Sequence, residues 1–357
     1  MKKAPTTPVA SFRQATAGAV YALTWSPGGE RLVWGGGHLD GFGFIACAAG
    51  GEVVAWSDPY AWRNRVASGL CFDARGTHLA VSTWRDGLLY QVTGGALTDE
   101  TTLCSPSDDG PMARAKATGV LLHEGWLIVR RTTAHPDTTF LLSRLPAGIH
   151  IDTGGQHLRS ARVVGLPGAL VTGIDEHYWH PSGVLVVPLD DAGLGEPRVL
   201  TNPHALEGSS KASAHRALPL DRFPDESMHV ILGVRGAPRG EVSAIAIDRT
   251  GQRIVTCGTD GSIATWSTSD LSCLRKRPGH AFPIAAACHV EPSGQLVTGD
   301  RSGLVRVWEG DTVIAEWTVH DASVRSLAAH PTEPRIAVGS KSLVDYPAGR
   351  VEVFDLP

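Results

Sequence analysis

The sequence predicts an all-β protein, a seven-bladed propeller of four-stranded antiparallel blades. Three observations predict this fold: short segments of alternating apolar and polar residues, frequent tight turns, and an internal repeat. The chain holds 41 Gly and 23 Pro in 357 residues, which is above ordinary usage and indicates many turns. Because the repeat extends along the chain, residues 1–357 are predicted to form one domain.

The clearest repeat units lie near the C-terminus, at residues 242–266 and 284–308. Each unit has an apolar run, a turn with glycine, a second apolar run, another turn with glycine, and a third run that ends in Trp266 or Trp308. The runs alternate with a period of two residues, which is typical of half-buried strands. Each unit therefore supplies three antiparallel strands, and a fourth strand precedes the next unit.

Weaker copies extend the pattern over the rest of the chain. A four-stranded blade takes about 40–45 residues, so seven repeat starts predict seven blades. The starts are Val20, Val66, Ala117, Ile174, Val242, Ile284 and Val324.

Residues 146–240 are the hardest part to assign. The segment 203–227, rich in Ser, Ala, Pro and charged residues, is predicted to be an insertion within or after blade 4. Two divisions stay open. In one, residues 228–234 form the last strand of blade 4, and in the other, blade 4 ends at residue 202.

Short motifs give the repeat a family resemblance. Gly279-His280 stands four residues before Ile284, Asp260-Gly261 occupies a second hairpin turn, and Trp266 ends a third strand. These motifs resemble the blades of the WD-repeat (WD40-like) β-propeller family. The degenerate repeats resemble bacterial members of that family more than the regular eukaryotic ones.

The resemblance implies a buried hydrogen-bonded set of His, Ser or Thr, Asp and Trp in each blade. Blade 5 has Pro238 where the His belongs, and blade 6 has Ser302 where the Asp belongs. We therefore expect no blade to hold a complete set, and expect apolar packing between blades to stabilise the ring. The residues that match the motif are Thr256, Asp260, Trp266, His280, Thr298, Trp308 and His320.

The resemblance also implies how the ring closes. The last blade ends after its third strand, at residues 351–354, while residues 8–14 alternate without a partner of their own. In this family the N-terminal strand completes the last blade. Residues 8–14 are therefore predicted to close the ring, which removes two sheet edges.

Charge and cysteine usage bound the setting. The chain has 32 Lys plus Arg and 36 Asp plus Glu, so its formal charge is −4, and we expect neither nucleic acid nor an anionic membrane as partner. No apolar signal region follows the first lysines, and no run reaches the length of a membrane span. The six cysteines form no CxxC pair. A cytoplasmic location is expected.

Motifs for catalysis, metal or cofactors are lacking. The three glycines from Gly35 lack a following Lys-Ser or Lys-Thr, so they do not match a phosphate-binding loop. His177 and His180, three residues apart on a strand, would face opposite sides of the sheet. No Ser lies in G-x-S-x-G, and no loop has the ligand spacing of a calcium site. We expect a non-enzymatic protein without metal or cofactor.

One propeller face is predicted to bind a partner. In the WD-repeat arrangement, the second hairpin turns and the loops between blades meet there around the channel, and Trp, Tyr and Arg are common at interface hot spots. For Trp62 and Phe282 a place in the core or between blades stays equally open. The second turns of blades 1 and 7, residues 35–40 and 340–348, are long and predict one raised sector. The predicted partner-binding residues are Trp62, Trp84, Arg85, Thr259, Phe282, Arg301, Lys341 and Tyr346.

The function predicted from these features is a non-catalytic interaction platform that presents loops to a protein or peptide within a multiprotein assembly. Two alternatives stay open. One is a sensor of a small ligand or peptide, in which residues 203–227 order on binding. The other is an enzyme with a site in the axial channel, which would need two ionisable groups within reach of each other. The sequence names no partner and no oligomeric state.

Overall fold

The computed structural model describes residues 7–14, 18–38, 43–50, 52–55, 65–104, 116–132, 138–149, 163–174, 183–195, 198–200, 242–248, 250–291, 293–344 and 348–357. The regular elements in these ranges are β-strands, and they form seven antiparallel sheets. The all-β, seven-bladed propeller predicted from the sequence is confirmed.

The first three blades follow the first strand, β1 (Ala10–Gln14). Blade 1 contains β2 (Ala19–Trp25), β3 (Arg31–Gly37), β4 (Gly43–Ala49) and β5 (Glu52–Ala55). Blade 2 contains β6 (Ala67–Phe72), β7 (His78–Thr83), β8 (Gly87–Thr93) and β9 (Ala96–Cys104). Blade 3, within the described ranges, contains β10 (Lys116–His123), β11 (Trp126–Thr132) and β12 (Thr138–Arg144).

The last three blades each have four strands. Blade 5 contains β18 (Val242–Ile247), β19 (Arg253–Gly258), β20 (Ser262–Ser267) and β21 (Cys273–Pro278). Blade 6 contains β22 (Ile284–Val290), β23 (Gln295–Asp300), β24 (Leu304–Glu309) and β25 (Thr312–Thr318). Blade 7 contains β26 (Ala322–Ala329), β27 (Arg335–Ser342) and β28 (Gly349–Asp355), and it is completed by β1.

Blade 4 differs from the strand assignment made on the sequence. It contains β13 (Val163–Leu166), β14 (Ala169–Ile174) and β15 (Gly183–Asp190), and two short strands, β16 (Gly193–Leu194) and β17 (Arg198–Leu200), both pair with β15. Ile174, predicted to start the blade, therefore ends its second strand. Residues 203–227 and 228–234 lie outside the described residues, so the insertion and both divisions of blade 4 stay predictions.

Hydrogen bonds to an Asp side chain fix the turn that joins the first two strands of a blade. In blade 2 the Asp73 carboxylate accepts from the backbone N–H groups of Thr77 (2.7 Å) and His78 (2.9 Å). In blade 5 Asp248 accepts in the same way from Gln252 (2.9 Å) and Arg253 (3.0 Å). An Asp side chain that accepts from the backbone N–H groups following it fixes a tight turn. These first turns lie on the face of the propeller away from the second hairpin turns, and we call it the opposite face.

The seven innermost strands close a ring. Contacts join β2 to β6, β6 to β10, β10 to β13, β13 to β18, β18 to β22, β22 to β26, and β26 back to β2. Apolar clusters fill the seams between blades. One of them combines Val33 and Ile45 of blade 1 with Phe72 and Leu79 of blade 2. The expected packing of blade against blade is thus present at this seam.

The N-terminal strand completes the last blade, as predicted. Strand β1 pairs with β28 in register Ala10 with Val353 through Gln14 with Gly349, and the N–H of Val9 adds a 2.8 Å bond to the Val353 carbonyl. Phe12 stacks on Trp34 of blade 1 at 5.3 Å between ring centroids. The two chain ends therefore join blades 7 and 1.

Candidate functional site

One face of the ring gathers the second hairpin turns and the loops that enter each blade; we call it the rim face. Backbone bonds hold turn and loop together, from Trp84 N–H to the Val66 carbonyl (3.0 Å) in blade 2 and from Arg301 N–H to the Pro283 carbonyl (3.0 Å) in blade 6. In blade 7 the Leu343 N–H donates to the Asp321 carbonyl (2.8 Å). The turns are thus fixed by main-chain bonds.

A β-bulge recurs beside the rim face in six of the innermost strands. In each strand the pairing with the second strand skips one residue near the start. A bulge leaves its extra residue outside the ladder and re-aims its side chain. The extra residues are Tyr21, Ser68, Thr118, Ser243, Ala285 and Arg325.

The structure separates the predicted binding residues into two groups. Arg85 is exposed, and Trp84 and Arg301 are half-buried on the rim face. Thr259 and Phe282 lie on the same face but are buried, with 9% and 6% of their surface exposed. Phe282 therefore takes the core position left open above. Trp62, Tyr346 and the tips of the two long turns, residues 39–42 and 345–347, lie outside the described residues.

Lys341 does not lie in the turn where the sequence predicted it, at residues 340–348. Its side chain is only 8% exposed, because β27 continues through Ser342 and Lys341 pairs with Ser323 instead of lying in the turn. Burial, together with a smaller effect of repulsion from Arg325, lowers the pKa of the Lys341 ammonium to about 8. Two cations thus lie close to each other in blade 7.

Aromatic and cationic side chains follow the channel mouth from blade 6 to blade 2. Tyr21 and Trp84 contact each other across blades 1 and 2, with ring centroids 6.3 Å apart. Gly339 lies so close to Val20 that an added Cβ would be 2.8 Å from its side chain, so β27 of blade 7 packs against β2 of blade 1. We call this set the rim surface, and its members are Tyr21, Trp84, Arg85, Arg301, Arg325 and Lys341.

Blade 6 holds the complete buried network that was not expected. His280 Nδ1 lies 2.9 Å from an Asp300 oxygen, and His280 Nε2 lies 2.8 Å from the Thr298 hydroxyl. The indole of Trp308 donates to that hydroxyl at 2.8 Å. The expectation that no blade is complete is therefore wrong, because Asp300, two residues before Ser302, supplies the carboxylate.

The network has one consistent assignment of protons. Trp308 N–H donates to Thr298, Thr298 O–H donates to His280 Nε2, and His280 Nδ1–H donates to Asp300. The other Asp300 oxygen accepts from the N–H groups of Ser302 (2.8 Å) and Leu304 (3.1 Å). Every polar group named here has a partner, as a buried network requires.

A carboxylate, an imidazole and a hydroxyl in this order also make a nucleophilic triad, so the alternative needs a test. A nucleophile must reach its substrate. The side chains of His280 and Asp300 are fully buried, and so is Thr298. The hydroxyl is also held by Trp308. This network is therefore structural.

Blades 5 and 7 hold less of the motif. In blade 5 Trp266 donates to Thr256 at 2.9 Å, while Asp260 accepts from Ser262 N–H at 3.0 Å and faces Lys276 at 3.3 Å. Pro238 lies outside the described residues. In blade 7 the side chain of His320 is exposed, unlike His280, and its backbone carbonyl accepts from Arg350 at 2.6 Å.

The axial channel contains a cavity of about 100 Å³ between innermost strands of blades 1, 2, 5, 6 and 7. Its polar lining comes from Tyr21, Thr24, Ser68, His289 and Ser326, together with Ser26. No Asp, Glu, Lys or Arg is among the described residues that line it.

Elsewhere in the described ranges, no three His, Cys, Asp or Glu side chains are placed to share a metal ion. The same ranges contain no helix of the length and hydropathy that a membrane span requires.

Comparisons with known proteins find a matching family profile and a similar fold. The family profile "WD domain, G-beta repeat" matches residues 230–267 and 271–309. The WD40 β-propeller domain of Doa1, in a crystal structure, superposes with a TM-score of 0.60 at 12% identity over 98% of this chain and 97% of that one. At this identity the likeness concerns the fold alone.

Curated relatives match a third of the chain. The human angio-associated migratory cell protein is 30% identical over 118 residues, which is 33% of this chain and 26% of the relative. Pre-mRNA-processing factor 17 of Saccharomyces cerevisiae is 26% identical over 122 residues, 33% of this chain and 27% of the relative. The chain thus matches about a quarter of each relative's length. Both relatives are eukaryotic, and the resemblance to bacterial members stays a prediction. The chain carries WD40 repeats and has the seven-bladed fold of a WD40 β-propeller.

Proposed function

We propose that this chain is a non-catalytic interaction platform whose rim surface holds a protein or peptide partner within a larger assembly. The observation that carries the proposal is the recurring bulge, which adds one residue beside the channel mouth in blade after blade. Bulges are common where a sheet re-aims a side chain toward a site. In blades 1 and 7 the added residues are Tyr21 and Arg325.

The composition of the rim surface supports the same proposal. Tyr, Trp and Arg are the residue types most common among interface hot spots, and the rim surface has all three. The backbone under it is held by the ladder and by turn-to-loop bonds, so the side chains are presented on a rigid frame. The match to WD40 repeats favours an interaction or scaffold role in general. The names of the two curated relatives point to no common partner.

The remaining parts of the proposal rest on the sequence. We propose a cytoplasmic location, and the formal charge of −4 favours neither nucleic acid nor an anionic membrane as partner. The sensor alternative depends on residues 203–227, which lie outside the described residues. The channel-enzyme alternative would need paired ionisable groups, and the described lining has His289 among hydroxyls.

Affinity purification from the native host tests the platform. Three tagged forms are compared: the natural chain, the rim variant Trp84→Ala with Arg85→Glu, and the control Arg253→Glu on the opposite face. We expect one partner at stoichiometric level with the natural chain and the control, and about tenfold less with the rim variant. Equal recovery with all three forms would place the interface elsewhere, and no partner with any form would contradict the platform.

A further inference from the structure

The rim surface gathers four cations on a chain whose formal charge is negative. The chain as a whole has a formal charge of −4, yet four of the six rim-surface residues are cations. They come from three blades: Arg85 from blade 2, Arg301 from blade 6, and Arg325 with Lys341 from blade 7. A cationic patch on an acidic protein is a local feature that total charge does not explain.

The backbone brings three of these cations to one seam. A Cβ added to Gly299 would lie 2.6 Å from the Val324 side chain, so the end of β23 packs against the start of β26. Arg301 lies two residues after Gly299, and Arg325 follows Val324 directly. On the other side of Arg325, Lys341 pairs with Ser323 in the adjacent strand. The seam between blades 6 and 7 therefore carries Arg301, Arg325 and Lys341.

Holding these cations together costs free energy in the isolated protein. Lys341 is nearly buried and Arg325 repels it, and both effects disfavour the charged ammonium. Groups perturbed in this way are enriched at binding and catalytic sites. An arriving anion would remove the repulsion.

Three carboxylates of the rim face are engaged within the fold. Asp86 lies 3.7 Å from Arg65, Asp260 lies 3.3 Å from Lys276, and Asp300 belongs to the His280 network. Asp321, at the entrance to blade 7, is exposed. The face thus uses its buried acids to fix turns and loops, and the rim cations lie on the same face as the aromatic pair Tyr21 and Trp84.

We propose, on the basis of the proposed function, that the partner contributes an acidic, extended peptide segment. Its carboxylates contact Arg85, Arg301 and Arg325, and the charge of the nearly buried Lys341 adds to the attraction. One apolar or aromatic side chain of the segment packs on Tyr21 and Trp84. Complementary charge selects the partner and speeds association, while the desolvated aromatic contact supplies affinity.

Fluorescence anisotropy with defined probes tests the inference on the full chain. The first probe is a short fluorescein-labelled peptide of glutamates around one phenylalanine, and the second has glutamines in place of the glutamates. We expect the glutamate peptide to bind at least tenfold more tightly, and salt to weaken it. Arg325→Gln and Lys341→Gln are each expected to weaken it about tenfold, and the matched control Arg253→Gln to leave it unchanged. Equal melting temperatures would verify that the variants fold.

Other outcomes would overturn the inference. They are equal binding of both peptides, no binding of the glutamate peptide, or full binding by the Arg325 and Lys341 variants. Tighter binding of a fluorescent single-stranded oligonucleotide would reassign the cations to nucleic acid. The platform is tested separately, by affinity purification. It requires a partner that is recovered with Arg253→Glu and lost with the Trp84 and Arg85 variant. If affinity purification loses the partner with the Trp84 and Arg85 variant but recovers it with Arg325→Gln, the platform stands and the proposal of an acidic segment is wrong.

Discussion

At the scale of single residues, Asp300 shows how one carboxylate fixes a blade. One of its oxygens holds His280, and the other holds the turn that leads into β24. Because His280 lies before the first strand and Asp300 ends the second, the contact ties the entrance of blade 6 to its second turn. A buried, fully bonded network of this kind favours one arrangement of the side chains over others.

Removing this carboxylate should destabilise the protein, whereas removing the serine beside it should not. Asp300→Ala leaves His280 and two backbone N–H groups without their acceptor, so we expect a loss of about 3 kcal/mol in the free energy of unfolding. Ser302→Ala keeps its backbone bond and should cost about 1 kcal/mol or less. Urea unfolding measures both. Equal losses would mean that Asp300 does not hold the network.

The sequence predicted the His, Thr and Trp of this network but no carboxylate, because Ser302 stands where the motif has Asp. The reason is physical: the turn after β23 allows a carboxylate two residues earlier to reach the same imidazole, and residue spacing alone does not show this. Lys341 was predicted as a binding residue, but its place in the turn was wrong for a related reason. Strand β27 extends through Ser342, so a residue expected in a turn is buried in the ladder.

Thiol reactivity gives a second test at this scale. Burial raises the pKa of Cys71 to about 12 and that of Cys47 to about 11, while Cys273 is exposed. A raised pKa means little thiolate at pH 8, so iodoacetamide should label Cys273 well before Cys47 and Cys71. Peptide mapping by mass spectrometry, with a urea-unfolded sample as control, follows each site. Fast labelling of Cys71 in the folded protein would contradict its burial.

At the scale of elements, the N-terminal strand does more than fill an edge. It completes the ladder of blade 7, and Phe12 reaches Trp34 of blade 1, so a short segment joins two blades. The sequence predicted this strand from alternation and from the missing fourth strand. Blade 4 was assigned less well, because β13 is only four residues long and its alternation is too short to separate from neighbouring segments.

Deleting residues 1–14 should open the ring, while deleting residues 1–6 should not. The longer deletion removes β1 and exposes the unpaired edge of β28, so we expect a lower melting temperature and self-association through that edge. Differential scanning fluorimetry and sedimentation velocity measure the two effects. A longer deletion as stable and monomeric as the shorter one would show that β1 is dispensable.

At the scale of the whole molecule, the seams between blades stabilise the propeller, and the rim face is the surface proposed to bind a partner. The seams between blades bury apolar side chains and hold the ring closed. The rim face collects the extra residues of the bulges and the second turns around the channel mouth. The ring could be predicted from the sequence, because alternation and repeat length are local signals. The rim surface could be predicted only in part, since bulges leave no sequence signature.

The central claim is that a partner binds at the rim surface, and hydrogen exchange of the partner complex tests it most directly. We expect protection to increase in segments 19–25, 83–88 and 300–304, and to stay unchanged in the turns of the opposite face, at 26–31, 73–78 and 250–253. Protection confined to the opposite face, or spread over the outer strands alone, would contradict the account.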